Sequence, residues 1–246
     1  PLPHDAITEA VRLNGAAVER NLRAFEIGRW AVLHPEEAAR LAAPKLVAKP
    51  KTLEQKIAFR EDHLIAYQGK RLAKRYRKML DGIEDKGLKE AVAQGYHKLL
   101  AYKDEYEVAR LHRDPAFAQQ IARDFGEGAK LTYNLAPPIL PGKDRRGRPK
   151  KRRFPGWAMA PGFALLARMK GLRGTAFDPF GRTEERRMER DLITWYEDLI
   201  ARAAGIEAEE TALALLKAPI GMRGYGPVKE AAVKRVKTEI EALLAR

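Results

Sequence analysis

The chain has no cysteine among its 246 residues. It can therefore form no disulfide, no thiolate-ligated iron–sulfur cluster and no cysteine-type zinc site. That absence suits a reducing compartment, and a cytoplasmic location is expected. The sequence also lacks any run of the roughly 18 apolar residues that a membrane-spanning helix needs. No charged start followed by an apolar stretch marks a signal peptide. Histidines are few. His4, His34, His63, His97 and His112 are scattered, without metal-ligand spacing, and each is expected to be a structural side chain at a packing edge. The initiator methionine is missing too, and the Pro-Leu-Pro opening is that expected of a piece of a longer polypeptide. No internal repeat of fixed period occurs.

What is present describes a folded, basic chain. A hydrophobic content of 45% beside 33% charged residues is enough to build a core and excludes a disordered chain. The net charge of +14 and the pI near 9.9 favour acidic partners. The charge is unevenly spread. Residues 143–154, KDRRGRPKKRRF, hold eight cations against the single anion Asp144, so half of the net charge sits in twelve residues. At their centre Arg146-Gly147-Arg148-Pro149 spells the core of an AT-hook, in which glycine lets the backbone lie flat and the arginines enter a narrow A·T minor groove. The flanks argue otherwise: YNLAPPIL and FPGWAMAPGFALL are apolar enough for a core, and Gly147 and Pro149 suit a tight turn. The stretch reads as the turn of a hairpin whose charges are solvated or meet an acidic partner. Nucleic-acid binding through an AT-hook-like element is the alternative.

Periodicity predicts a mainly α chain, a multi-helix domain with one small β-hairpin near residues 129–157. The segment from His4 to Leu33 reads as one long helix, with Asp5 as its cap and Ile7, Val11, Leu13, Val18, Leu22 and Phe25 on its apolar face. A short helix, PEEAARLAA, and a Pro/Lys connector, PKLVAKPK, follow; the connector is a candidate internal boundary. Thr52 and Gln55 form a capping box for a helix expected to reach about Leu80, with Leu53, Ile57, Leu64 and Leu72 on one face. The next helix is expected to run unbroken from Leu88 to His112, with Val92, Tyr96, Leu99, Leu100 and Leu111 inward. Asp114 caps and Pro115 opens a shorter one. Leu131, Tyr133 and Leu135 alternate as a strand does, and a mate strand is expected near Arg153–Trp157. Residues 160–174, APGFALLARMKGLRG, read as a further helix ending at Gly171 or Gly174. Thr183 caps the clearest amphipathic helix, which carries Met188, Leu192, Tyr196, Leu199, Ile200 and Ala203 on one face. Two helices, at about 207–217 and 227–245, close the chain around the glycine-rich PIGMRGYGP.

No residue set carries a complete chemistry. His112-Arg113-Asp114 and Asp124-Phe125-Gly126 copy two kinase signatures in order, but position 119 is Gln where metal-holding Asn is required, and no glycine-rich loop precedes them. Asp104, Glu107 and Arg110 lie at three-residue spacing, which a salt-bridged helix face explains; acid–base chemistry would need those carboxylates in a pocket. GMRGYGPVKE runs into a helix start but lacks the Walker lysine pattern, so it reads as a turn. Catalytic, cofactor-binding and metal-ligating residues are accordingly expected to be absent.

Several collinear stretches carry a resemblance. YHKLLAYKDEYEVARLHRDPAF, LAPPILPGKDRRGRPKKRRFPGW, FALLARMKGLRGTAFDPFGRTEERRMER and MRGYGPVKEA resemble, in this order, the C-terminal region of the fused bacterial indolepyruvate ferredoxin oxidoreductases. AVRLNGAAVERNLRAFEIGR looks like the closing helix of the γ-type domain that precedes that region. The resemblance implies a division into residues 1–34, the closing helix, and 35–246, a C-terminal helical domain. It implies that the basic loop with Gly147-Arg148-Pro149 is a family loop. It also implies a parent reaction: oxidative decarboxylation of a 2-oxoacid on thiamine diphosphate with Mg, transfer of the acyl group to coenzyme A, and electron flow through [4Fe–4S] clusters to ferredoxin. None of the family's catalytic motifs falls within these residues, so the resemblance implies a non-catalytic structural or docking module. Its partners would be the remaining domains of a homo-oligomeric enzyme, with ferredoxin or coenzyme A meeting the basic loop; nucleic acid and membranes are not expected partners. Arg145, Arg146, Arg148, Lys150, Lys151, Arg152 and Arg153 are the candidate contacts to an acidic partner.

Overall fold

The computed structural model describes residues 2–42, 50–135, 142 and 151–245. The chain divides into two compact units, Pro1–Lys49 and Pro50–Arg246. Among the described residues the architecture is thirteen α-helices with one two-stranded antiparallel sheet, a mainly α fold with a small hairpin. No helix among them is long and apolar enough to cross a membrane.

The first unit holds α1 (His4–Asn14), α2 (Val18–Leu33) and α3 (Pro35–Ala42). The single long helix expected here is broken. Gly15 takes a left-handed φ of 66° and returns its amide to the Arg12 carbonyl, closing α1. Ala17 is left-handed as well, with φ of 47°. Glycine has no Cβ to clash in that region, so Asn14-Gly15 offers a low-cost stop that helical periodicity does not register. Asp5 is not the cap either; Pro3 holds that position, and Asp5 adds its charge to the first turn instead. Across the α1–α2 pair, His4 Nε2 lies 2.5 Å from Glu26 and its ring stacks on Phe25. These helices bury little: in α1 only Thr8 is buried, and in α2 nothing is. Leu13, Val32, Leu33 and Leu41 stay 76–80% exposed.

The second unit holds the core. The Thr52–Gln55 capping box forms as expected and starts α4 (Leu53–Tyr67). The helix stops short of Leu80 because Gly69 adopts φ of 145°, where few L-residues go, and α5 (Lys70–Asp81) begins afresh. The following helix also splits, into α6 (Lys86–Leu100) and α7 (Glu105–His112). The break spans residues 101–104, where Asp104 turns its carboxylate onto the Glu107 amide as an N-cap. Asp114 and Pro115 open α8 (Pro115–Phe125) as read. Strands β1 (Thr132–Leu135) and β2 (Arg152–Pro155) pair antiparallel, with Tyr133 opposite Phe154 and Asn134 opposite Arg153. Trp157, placed by sequence on the second strand, begins α9 (Gly156–Arg168) instead and is 81% exposed. A short 3₁₀ turn, Met169–Leu172, leads on to α10 (Glu184–Ala203), capped by Thr183. The closing elements are α11 (Glu209–Leu216), α12 (Ala218–Gly221) and α13 (Pro227–Leu244).

The core gathers the inward faces of α4, α5, α6, α10, α11 and α13. Ile57, Leu64, Tyr76, Val92, Tyr96, Leu99, Leu192, Tyr196, Leu199 and Val236 are all buried in it. Of the inward residues expected in the second unit Leu111 departs most, at 47% exposed, because α7 starts a new direction after the Asp104 cap. The tightest approach is at Gly95 on α6. A Cβ there would stand 2.6 Å from the Tyr196 hydroxyl and 3.1 Å from Pro219. That hydroxyl donates to the Leu216 carbonyl at 2.6 Å, so it has little freedom to retreat. Gly95→Ala should therefore destabilise the protein: overpacking costs about 1–3 kcal/mol, while the helix gains about 1 kcal/mol from losing glycine. In a Tyr196→Phe background the nearest atom is gone and the penalty should shrink, as a double-mutant cycle of thermal unfolding would read.

Candidate functional site

The hairpin is the part of the basic segment that the structure places. Arg145, Arg146, Arg148 and Lys150 lie outside the described residues, as do Gly147 and Pro149 of the AT-hook-like sequence. Lys151, Arg152 and Arg153 are described; all three are exposed, and they form no ion pair among the described residues. The strands beneath them are anchored. Tyr133 packs edge-on against Phe163 at 5.1 Å and His112 at 4.7 Å, and His112 stacks on Phe163 at 5.2 Å. Gly156 donates its amide to the Leu131 carbonyl at 2.9 Å, locking the foot of β2 to the residue before β1. Burial among these rings lowers the pKa of His112, with Lys103 adding repulsion, so the ring stays neutral and apolar. A fixed root thus projects a cationic edge.

The acidic stripe has a different setting from a solvated face. Asp104 and Glu107 are 3% and 7% exposed, beside buried Arg173 and Asp178. Arg173 holds Asp104 with a two-pronged contact, Nη2 to Oδ1 at 2.9 Å and Nε to Oδ2. Its Nη1 donates to the Tyr67 carbonyl at 2.8 Å, and its guanidinium lies 3.5 Å from the Tyr67 ring centre. Asp104 Oδ1 also accepts the Glu107 amide at 2.8 Å. Glu107 is gripped by Arg110, Nε and Nη2 reaching its two oxygens at 2.8 and 2.7 Å. Burial would raise the Glu107 pKa, but the bonds from Arg110 and His63 outweigh it and hold it at about 2. Asp178 accepts from the Tyr106 hydroxyl, the Gly174 amide and the Phe180 amide. Every carboxylate here meets a donor set that uses its oxygens. A general base needs a free oxygen facing substrate, whereas these tie α7 to the 172–181 turn.

One grouping escaped sequence reading. His63 on α4 and His97 on α6 are 34 residues apart, yet Nδ1 of the first lies 3.0 Å from Nε2 of the second, and His63 Nε2 stands 3.6 Å from Glu107. Burial, with repulsion from His63 and Arg60, lowers the His97 pKa to about 4. The sequence places each histidine at a packing edge, and both are half-buried, but only the packing of α4 on α6 brings them together.

The donors do not suit the redox groups that the resemblance implies for its parent enzyme. Cluster ligation needs thiolates, and the sequence has none. Among the described residues no three His, Asp or Glu side chains gather as a metal-holding group. The kinase-like Asp114 serves as a cap, accepting the Ala116 amide at 2.9 Å. The glycine-rich segment is a turn with positive φ at Gly224 and Gly226 before α13. Beside it, Lys98 donates to the carbonyls of Pro219, Ile220 and Met222.

Comparison with known proteins adds one match. A family described as "Family of unknown function (DUF6537)" matches residues 53–242, more than half of the chain. No curated protein and no solved structure matches the chain.

Proposed function

We propose that this chain, which belongs to the DUF6537 family, is a non-catalytic module of a cytoplasmic indolepyruvate-type 2-oxoacid:ferredoxin oxidoreductase, with a structural and docking role. The observation that carries this reading is the bare apolar surface of the first unit, where Leu13, Val32, Leu33 and Leu41 are exposed on short helices. Such surface is costly in water and suits packing against further protein. The collinear resemblance to the C-terminal region of the fused oxidoreductases says what that protein would be. The engagement of Asp104, Glu107 and Asp178 by structural donors supports a scaffold role for the second unit. Thiamine diphosphate, Mg and the clusters would belong to the other domains.

The docking role falls to the hairpin. Its anchored root and exposed Lys151, Arg152 and Arg153 suit an acidic surface such as that of a ferredoxin, with coenzyme A phosphates as the smaller candidate. Charge of this kind raises association rates and is screened by salt. Neutralising Arg152 and Arg153 to glutamine in the intact oxidoreductase should raise the KM for ferredoxin several-fold at low ionic strength, with kcat little changed. The effect should fade towards about 1 M salt, where the screening length is about 3 Å. An unchanged KM and salt slope would remove the hairpin from ferredoxin docking. The AT-hook reading predicts salt-sensitive binding of A·T-rich duplex by the same protein, and the docking reading predicts none.

A further inference from the structure

The second unit has a cleft of about 750 Å³ whose walls come from the α4–α5 junction, Leu100 and Tyr102, the 171–175 turn and α10. We propose that it binds a small molecule carrying a phosphate monoester on an apolar or aromatic body. The proposal does not depend on the oxidoreductase reading.

The volume falls in the range of small-molecule sites, about 300–1,000 Å³. Four arginines line it, Arg71, Arg75, Arg173 and Arg190, and no carboxylate does. Two of the four are already neutralised. Arg173 is spent on Asp104 and the Tyr67 carbonyl, and Arg75 gives Nε and Nη2 to Glu197 at 2.9 Å each. The other two form no ion pair among the described residues. Arg190 donates Nη2 to the Gly181 carbonyl at 2.7 Å, while its Nη1 is buried and has no acceptor. An unpaired buried guanidinium nitrogen is costly unless an acceptor arrives.

The third contribution is α5 itself. Its first turn lines the cleft through Gly69, Arg71 and Leu72, has no side-chain cap and contains no acidic residue. The Leu72 and Ala73 amides are the first in the helix to find an acceptor, the Gly69 carbonyl; the Lys70 and Arg71 amides precede them and have no intrahelical acceptor. The positive end of a helix and two unneutralised guanidiniums then converge on one space. Two positive charges match the near-double negative charge of a phosphate monoester better than the single charge of a carboxylate. The rest of the wall, Leu72, Leu100, Tyr102 and Ile193, offers apolar contact to the body that carries the phosphate.

Phenyl phosphate, inorganic phosphate and benzoate, titrated calorimetrically into the full chain, test the assignment. Phenyl phosphate should bind most tightly, and its affinity should fall with ionic strength. Arg71→Gln and Arg190→Gln should each weaken it about tenfold or more, the loss of one charge-assisted contact. Arg71 is exposed and outside the core, so its variant reports on binding even if Arg190→Gln, which also loses the Gly181 contact, fails to fold. Benzoate binding as tightly as phenyl phosphate would overturn the phosphate assignment. No heat with any probe, or Arg71→Gln indistinguishable from the parent protein, would overturn the site.

Discussion

Replacing Arg173 by leucine should destabilise the second unit by about 3–5 kcal/mol, enough to unfold many domains of this size at moderate temperature. The cost comes mainly from what is left behind. Asp104 is 3% exposed, and without the guanidinium its charge would be buried against the Glu107 amide alone. The same substitution frees the Tyr67 carbonyl and strips the cation from the Tyr67 ring. Asp104→Asn should cost less, because an amide oxygen still caps α7 while the arginine keeps its carbonyl partner and its stacked ring. The double variant should recover part of the Arg173→Leu loss, since no uncompensated carboxylate then remains. Chemical denaturation of the four proteins closes the cycle. A cost under about 1 kcal/mol for Arg173→Leu would mean that the pair behaves like a surface ion pair.

Acidification should weaken the protein in two successive windows. His97 stays neutral in the fold down to about pH 4, while in the unfolded chain it takes a proton near its ordinary 6.5. Between those values the unfolded state binds more protons, so stability falls as pH falls, by up to about 3 kcal/mol. Above pH 6.5 both states are neutral and the residue contributes no pH dependence. Glu107 follows lower down. Its folded pKa of about 2 lies below the ordinary 4.5, so its contribution is complete above 4.5 and is lost between 4.5 and 2. Burial sets most of the upper window, with repulsion from the His63 and Arg60 side chains adding to it. His97→Gln keeps a donor for His63 but cannot titrate. Its stability should be flatter than the parent's between pH 6.5 and 4, and the two curves should run parallel below that. A variant with the parent's full slope in the upper window would assign that slope to other groups.

Local signals were legible and long-range ones were not. The Thr52–Gln55 box, the Asp114-Pro115 start and the Thr183 cap each depend on residues three or fewer apart, and the structure has all three. The alternation at 131–135 likewise locates the hairpin, because a period of two needs only five residues to show. The helix breaks at Gly15, Gly69 and residues 101–104 went unread for a common reason: the apolar period runs on through each kink, so a wheel drawn across it looks continuous. Spacing reads Asp104, Glu107 and Arg110 as one salt-bridged helix face; the Glu107–Arg110 pair forms, but Asp104 caps α7 instead. Its partner Arg173 lies 69 positions away, and only tertiary packing reveals that the pair is buried. The arginine cleft is hidden in the same way, since its walls come from four separate segments of an arginine-rich chain.

The most direct measurement is the intact mass of the native polypeptide that carries this sequence, together with its thiamine diphosphate and iron content. The account predicts a polypeptide far heavier than the 27.7 kDa of these residues, purifying with both. A free protein of that mass, without thiamine diphosphate or iron, would contradict it.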